Sequence, residues 1–76
     1  MATLTRITIN PNIMGGKPCI RGMRITVGTI VGLIASGYTK EEILISYPYL
    51  ENEDIQQSLA YASWRAEEME VDLEAV

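Results

Sequence analysis

The chain has 76 residues, one cysteine, no histidine and a net charge of −4. That length makes one small domain, whose core rarely contributes more than about 3–5 kcal/mol net unless a disulfide, a metal or a partner subunit adds to it. A lone Cys19 rules out an internal disulfide and, without histidine, leaves almost no route to tetrahedral zinc, so a homodimer is the expected staple.

The single reduced thiol fits a cytosolic, cytoplasmic protein. Met1 to Arg6 lack the pattern of a secretory leader, and the apolar span 25–34 is too short to cross a bilayer, so no membrane contact is expected. The charge is split along the chain. Residues 1–40 carry Arg6, Lys17, Arg21, Arg24 and Lys40 and no acid, for +5; residues 41–76 set ten acids against Arg65, for −9. Either one half meets an anion and the other something basic, or the two halves neutralise each other within the fold or across a dimer.

Residues 1–25 read as an extended arm. Leu4 to Ile9 alternate apolar and polar as a half-buried strand does, and Asn10-Pro11-Asn12 stops it. Gly15-Gly16 permits unusual backbone angles, Pro18 holds Lys17 extended, and Gly22 marks a bend or bulge between Ile20 and Ile25. A short ribbon pairing residues 4–9 with part of 18–25 follows. Two strands alone are marginal, so the ribbon must lean on helices or on another chain.

Three helices are predicted next, over 26–36, 40–46 and 52–72. Thr26 caps the first, whose inner face is Val27, Ile30, Val31 and Ile34, and Gly37 ends it. Thr39 and Glu42 form a capping box for the second, which runs through Ile43, Leu44 and Ile45. The third opens with Glu51, Glu53 and Asp54, acids that suit the positive end of a helix dipole. Its apolar residues Ile55, Leu59, Ala62, Ala66, Met69 and Leu73 step by four and three, as a coiled-coil seam does. At 1.5 Å per residue it is roughly twice as long as the first helix. Its far half must therefore overhang, and Trp64, Met69 and Leu73 become candidate partner contacts.

These residues favour no catalysis. The commonest general acid–base, histidine, is missing, and the carboxylates gather at helix ends and on an exposed face. Cys19 reads as a small buried hydrophobe, and the glycine-rich stretch lacks the spacing of a phosphate loop. No enzyme activity, cofactor, metal or small-molecule substrate is expected. The order short helix, turn, longer helix after a first helix is that of a three-helix helix-turn-helix domain. Its third helix would offer Gln56 and Gln57 to base edges, while phosphate contact would fall to Arg6, Lys17, Arg21 and Arg24. Arg21 and Arg24 fit salt bridges to acids of the third helix equally well.

The run Asn10-Pro11, Gly16-Lys17-Pro18, Ile20-Arg21-Gly22, Arg24-Ile25, then Glu42-Ile43-Leu44, Tyr47-Pro48, Leu50 and Asp54-Ile55 resembles a small bacterial family known as a domain of unknown function (four-three-three). The resemblance spans residues 7 to about 62. It implies a mainly α, homeodomain-like helix-turn-helix bundle with a short N-terminal β-ribbon and a long C-terminal helix. It also implies a likeness to VapB-type antitoxins, which neutralise a PIN-like ribonuclease toxin and repress their own promoter DNA. Met23 stands where that family usually has Thr, and Glu51 where Thr usually caps the third helix. The alternative is a dimeric protein-interaction module that binds no DNA.

Overall fold

The computed structural model describes residues 4–68. It is mainly helical, with an N-terminal two-stranded antiparallel ribbon and three helices, as the sequence predicts. Strands β1 (Ile7–Thr8) and β2 (Cys19–Ile20) pair Ile7 with Ile20 and Thr8 with Cys19. Helices α1 (Val27–Ala35), α2 (Lys40–Ser46) and α3 (Asn52–Glu68) follow.

The first strand is shorter than its alternation suggests. Leu4 already turns, accepting a hydrogen bond from the Ile7 N–H, and the Arg6 N–H donates to Gln57 Oε1 of α3 rather than to a ladder. Ile9 points to solvent. Arg21-Gly22 forms a tight turn rather than a bulge. The Met23 N–H donates to the Ile20 carbonyl at 2.7 Å, and both central residues have positive φ, 45° at Arg21 and 72° at Gly22. Two positive central angles mark the turn type that matches the twist of a hairpin. Thr8 Oγ1 braces it by accepting from the Gly22 N–H. The chain then returns along β2, bridging Cys19 to Thr26.

Both ends of α1 and the start of α2 have local causes. Thr26 Oγ1 accepts from the Thr29 N–H at the start of α1, and the Val27 N–H donates to the Pro18 carbonyl, joining helix to arm. At its end Gly37 has φ of 100°, the Gly37 N–H reaches the Ile34 carbonyl and the Tyr38 N–H reaches Leu33. That paired closure of a helix C-terminus needs a left-handed residue, which glycine supplies without strain. In α2 both halves of the capping box form: the Glu42 N–H donates to Thr39 Oγ1 and the Thr39 N–H to Glu42 Oε1.

The core gathers Ile20 and Ile25 of the arm, Val27 and Ile30 of α1, Ile43 of α2, Leu50 of the turn and Ile55 of α3. A single residue separates Ile43, 1% exposed, from Ile45, 79% exposed. On α3 the predicted seam holds at Ile55, Leu59 and Ala62, and Ala66 is exposed. Met69, Leu73 and the predicted stretch 69–72 lie outside the described residues. Among the described residues, no helix is long and apolar enough to cross a membrane.

Fully burying one isoleucine and exposing its neighbour separates two substitutions sharply. Ile43→Ala should lower unfolding free energy by about 2–5 kcal/mol in urea titrations, whereas Ile45→Ala should stay within about 0.5 kcal/mol. Similar losses at both positions would contradict this core.

Candidate functional site

The arm meets α3 at one buried carboxylate. Asp54, in the first turn of α3, has a fully buried side chain. Its Oδ1 accepts from Arg6 Nη1 at 3.0 Å and from Arg21 Nε at 3.1 Å; its Oδ2 accepts from Arg21 Nη2 and from the Glu51 N–H, both at 2.8 Å. The bond to Glu51 is half of a capping box, the carboxylate three residues into a helix reaching back to the residue before it. The two arginines supply the counter-charge that a buried carboxylate requires.

The same groups tie further elements. Arg6 also pairs with Glu51, and Arg21 Nη2 donates to the Tyr49 carbonyl at 2.9 Å. The Arg21 N–H donates to the Arg6 carbonyl at 2.8 Å. Ribbon, hairpin turn, the 47–51 connection and the start of α3 are therefore held at one point. Burial alone would raise the Asp54 pKa, but hydrogen bonds from Arg21, the Glu51 N–H and Arg6 outweigh it and hold the carboxyl below its ordinary 3.8. Arg6 is held more firmly charged, first by Glu51 and then by Asp54, and Arg21 chiefly by Asp54.

This arrangement sorts the residues that sequence reasoning offered to nucleic acid. Arg6 and Arg21 are turned inward to Asp54. Gln57 is half-buried and accepts from the Arg6 N–H, so it faces the arm. Gln56 is exposed and its Oε1 accepts from Lys40 Nζ at 2.7 Å, which brings one cation of α2 beside the outer face of α3. Lys17 and Arg24 are exposed, and among the described residues neither has an ion-pair partner.

Of the predicted partner contacts, Trp64 is half-buried, its ring 5.8 Å from Tyr61 and edge-on to it, with the Arg65 guanidinium 5.9 Å from the Trp64 ring centre. Sequence reasoning missed two features. Asp54 reads in the sequence as a dipole-favouring acid and as one of several acids of the third helix that Arg21 or Arg24 could meet. Among the described residues that pairing forms with Arg21 and not with Arg24. The place of Asp54 three residues into α3 singles it out by signalling a cap to Glu51. The pattern of α2 marks a helix but does not single out its outer face as a surface. That face presents Glu41, Glu42, Ile45 and Ser46, with Tyr38 before it and Tyr49 after it about half exposed. Tyr49 stacks on Tyr47 with ring centres 6.1 Å apart.

A family model described as "Protein of unknown function (DUF433)" matches residues 7–62, which take in Arg21, Asp54 and all of α1 and α2. "Uncharacterized protein y4eO" of Sinorhizobium fredii (strain NBRC 101917 / NGR234) is 36% identical over 56 residues, 74% of this chain and 25% of that protein. The chain thus spans about a quarter of the length of the curated relative it matches. The crystal structure of a DUF433 member protein from Anabaena variabilis ATCC 29413 superposes with a TM-score of 0.77 at 35% identity. That alignment covers 83% of this chain and 62% of the Anabaena chain, just under two thirds of it.

The carboxylate cluster sets a pH dependence with a definite sign. Asp54 loses its proton more readily when folded than when unfolded, so its contribution is complete above the unfolded value of about 3.9. The contribution is lost as pH falls through the lower folded value. Asp54→Asn should reduce stability at neutral pH by roughly 3 kcal/mol, the low end for breaking a buried pair, because both guanidiniums keep part of their surface in water. It should also flatten the acid limb of a stability–pH curve below about pH 4. An unchanged acid limb would show that Asp54 is not the titrating group.

Proposed function

This chain belongs to the DUF433 family of proteins of unknown function, and from that premise we propose that it is a non-enzymatic, antitoxin-like regulator that works by docking a protein partner in the cytoplasm. The observation that carries this reading is the outer face of α2. Ile45 stands 79% exposed there, with Glu41 and Glu42 on the same face and half-exposed Tyr38 and Tyr49 at its two ends. Tyrosines are enriched at protein-binding hot spots, and an apolar centre ringed by polar side chains is how an interface patch is built. The acids add electrostatic preference for a basic surface. By the resemblance carried by the Gly-Lys-Pro and Ile-Arg-Gly motifs, the partner is a PIN-like ribonuclease toxin, whose basic nucleic-acid site such a face would cover.

The chemistry supports a binding role over a catalytic one. Asp54 accepts four hydrogen bonds and is held ionised, so it has neither the free lone pairs nor the poise of a general base. Cys19 is buried, with its thiol donating to the Lys17 carbonyl.

A second reading, repression of the chain's own promoter, is favoured by Lys17 and Arg24. They are exposed cations with no ion-pair partner among the described residues, whereas Arg6 and Arg21 are committed to Asp54. Reading of bases by α3 is opposed by Glu51 and Glu53, exposed at the tip that would enter a groove.

Co-expression with the product of the adjacent gene tests the docking reading. The wild-type chain should rescue growth and co-purify, and Ile45→Lys should abolish both while leaving the circular dichroism spectrum unchanged. Undiminished rescue by Ile45→Lys would contradict it. For the promoter reading, Lys17→Ala and Arg24→Ala should each reduce the salt slope of binding by about 0.9, the release of one phosphate contact. Flat slopes in the wild-type chain would remove DNA from the account.

A further inference from the structure

We propose that the outer face of α3 receives the arm of a second copy of this chain, in a reciprocal contact that pairs Lys17 and Arg24 with Glu53 and Glu67. The inference goes beyond the docking surface on α2 and does not depend on it. Glu53, Gln56, Ala60, Ser63 and Glu67 are exposed and follow one another by three and four residues, so they form one stripe opposite the buried Asp54, Ile55 and Ser58. The stripe has small residues in its middle and an acid at each end, about 21 Å apart at 1.5 Å per residue. Beside the C-terminal acid lies a shallow hollow of about 390 Å³ lined by Ala60, Ser63, Trp64 and Glu67.

Charge decides what covers this face. Pairing it with the same face of a second copy is opposed in both orientations. Antiparallel helices would set Glu53 against Glu67, and parallel helices would set each glutamate against its own equivalent. The occupant must bring cations. With Arg6 and Arg21 taken up by Asp54 and Glu51, and Lys40 turned to Gln56, the exposed cations of the arm are Lys17 and Arg24. Neither they nor Glu53 and Glu67 have an ion-pair partner among the described residues. Two cations on one surface and two acids on another are self-complementary under a two-fold axis, so a reciprocal dimer leaves none of the four unmatched.

The arm also presents apolar surface for the hollow. Ile9 is 62% exposed and Met14 40% exposed, both within the segment that carries Lys17. Methionine suits a shallow, irregular depression because its unbranched side chain adapts to the gap. The contact would add burial to a core of very few side chains. It engages the same two cations that phosphate contact would use, so self-association and DNA binding compete for this arm.

Sedimentation velocity with charge-reversed variants tests the proposal. The wild-type chain should sediment as a dimer that dissociates as salt rises. Lys17→Glu with Arg24→Glu, and separately Glu53→Lys with Glu67→Lys, should each weaken dimerisation by about tenfold or more, because four exposed pairs are reversed at once. None of these residues belongs to the Asp54 cluster or the core, so circular dichroism should confirm that both variants fold. Mixing the two variants should restore a dimer, since each then offers the charge that the other lacks. A monomeric wild-type chain at low salt, or a dimer indifferent to either pair of reversals, or variants that fail to associate when mixed, would overturn the proposal.

Discussion

The buried carboxylate of Asp54 is the constraint on which the rest depends. A charge fully withdrawn from water must be matched, and its matches come from Arg6 and Arg21, which lie 48 and 33 residues earlier in the chain. Meeting that requirement brings an arm of two very short strands against the start of α3. It also holds a backbone conformation that the arm would not adopt alone. Arg21 has a positive φ, uncommon for a residue with a side chain and disfavoured by the contact of Cβ with the carbonyl. Its side chain makes three hydrogen bonds from that position, two to Asp54 and one to the Tyr49 carbonyl, which offset the strain. The hairpin turn and the ion pair therefore stabilise each other.

The elements that were legible in the sequence have strong local causes. Thr26, the Thr39–Glu42 pair and Gly37 each act within four residues of where they stand, so both ends of α1 and the start of α2 need no knowledge of the remaining fold. The features that were not legible depend on distant partners. Arg21 and Arg24 have the same charge and similar neighbours, yet a tight turn between Ile20 and Met23 directs one into the fold and leaves the other in water. Alternation over Leu4 to Ile9 predicts a longer strand than exists, because the Arg6 N–H is claimed by Gln57 of α3. Helix α2 is too short for periodicity to say which isoleucine faces inward, and only packing separates Ile43 from Ile45.

The same interaction shapes what the surface offers to partners. By neutralising half of the arm's four cations, Asp54 and Glu51 reduce the basic half of the sequence to Lys17 and Arg24 at the surface, with Lys40 turned to α3. For two of the five cations in residues 1–40, a charge split that looks like a nucleic-acid footprint in the sequence becomes internal pairing. Among the described residues, what remains outside is mostly acidic on α3, where Arg65 stands beside Trp64, apolar and acidic on α2, and basic on the arm. Those three surfaces favour association with proteins over deep engagement of a DNA groove. The fold shared with the Anabaena protein positions them but does not by itself assign them a use.

A double-mutant cycle on Arg21 and Asp54 measures how far this pair holds the arm to α3. Stability would be measured by urea titration at neutral pH for the wild-type chain, Arg21→Gln, Asp54→Asn and the double variant. A coupling energy above about 1 kcal/mol is expected, with Asp54→Asn costing less in the Arg21→Gln background than alone and the remaining cost reflecting Arg6 and the Glu51 N–H. Losses that simply add, within about 0.5 kcal/mol, would show that the two residues act independently and that the arm is held to α3 by other means.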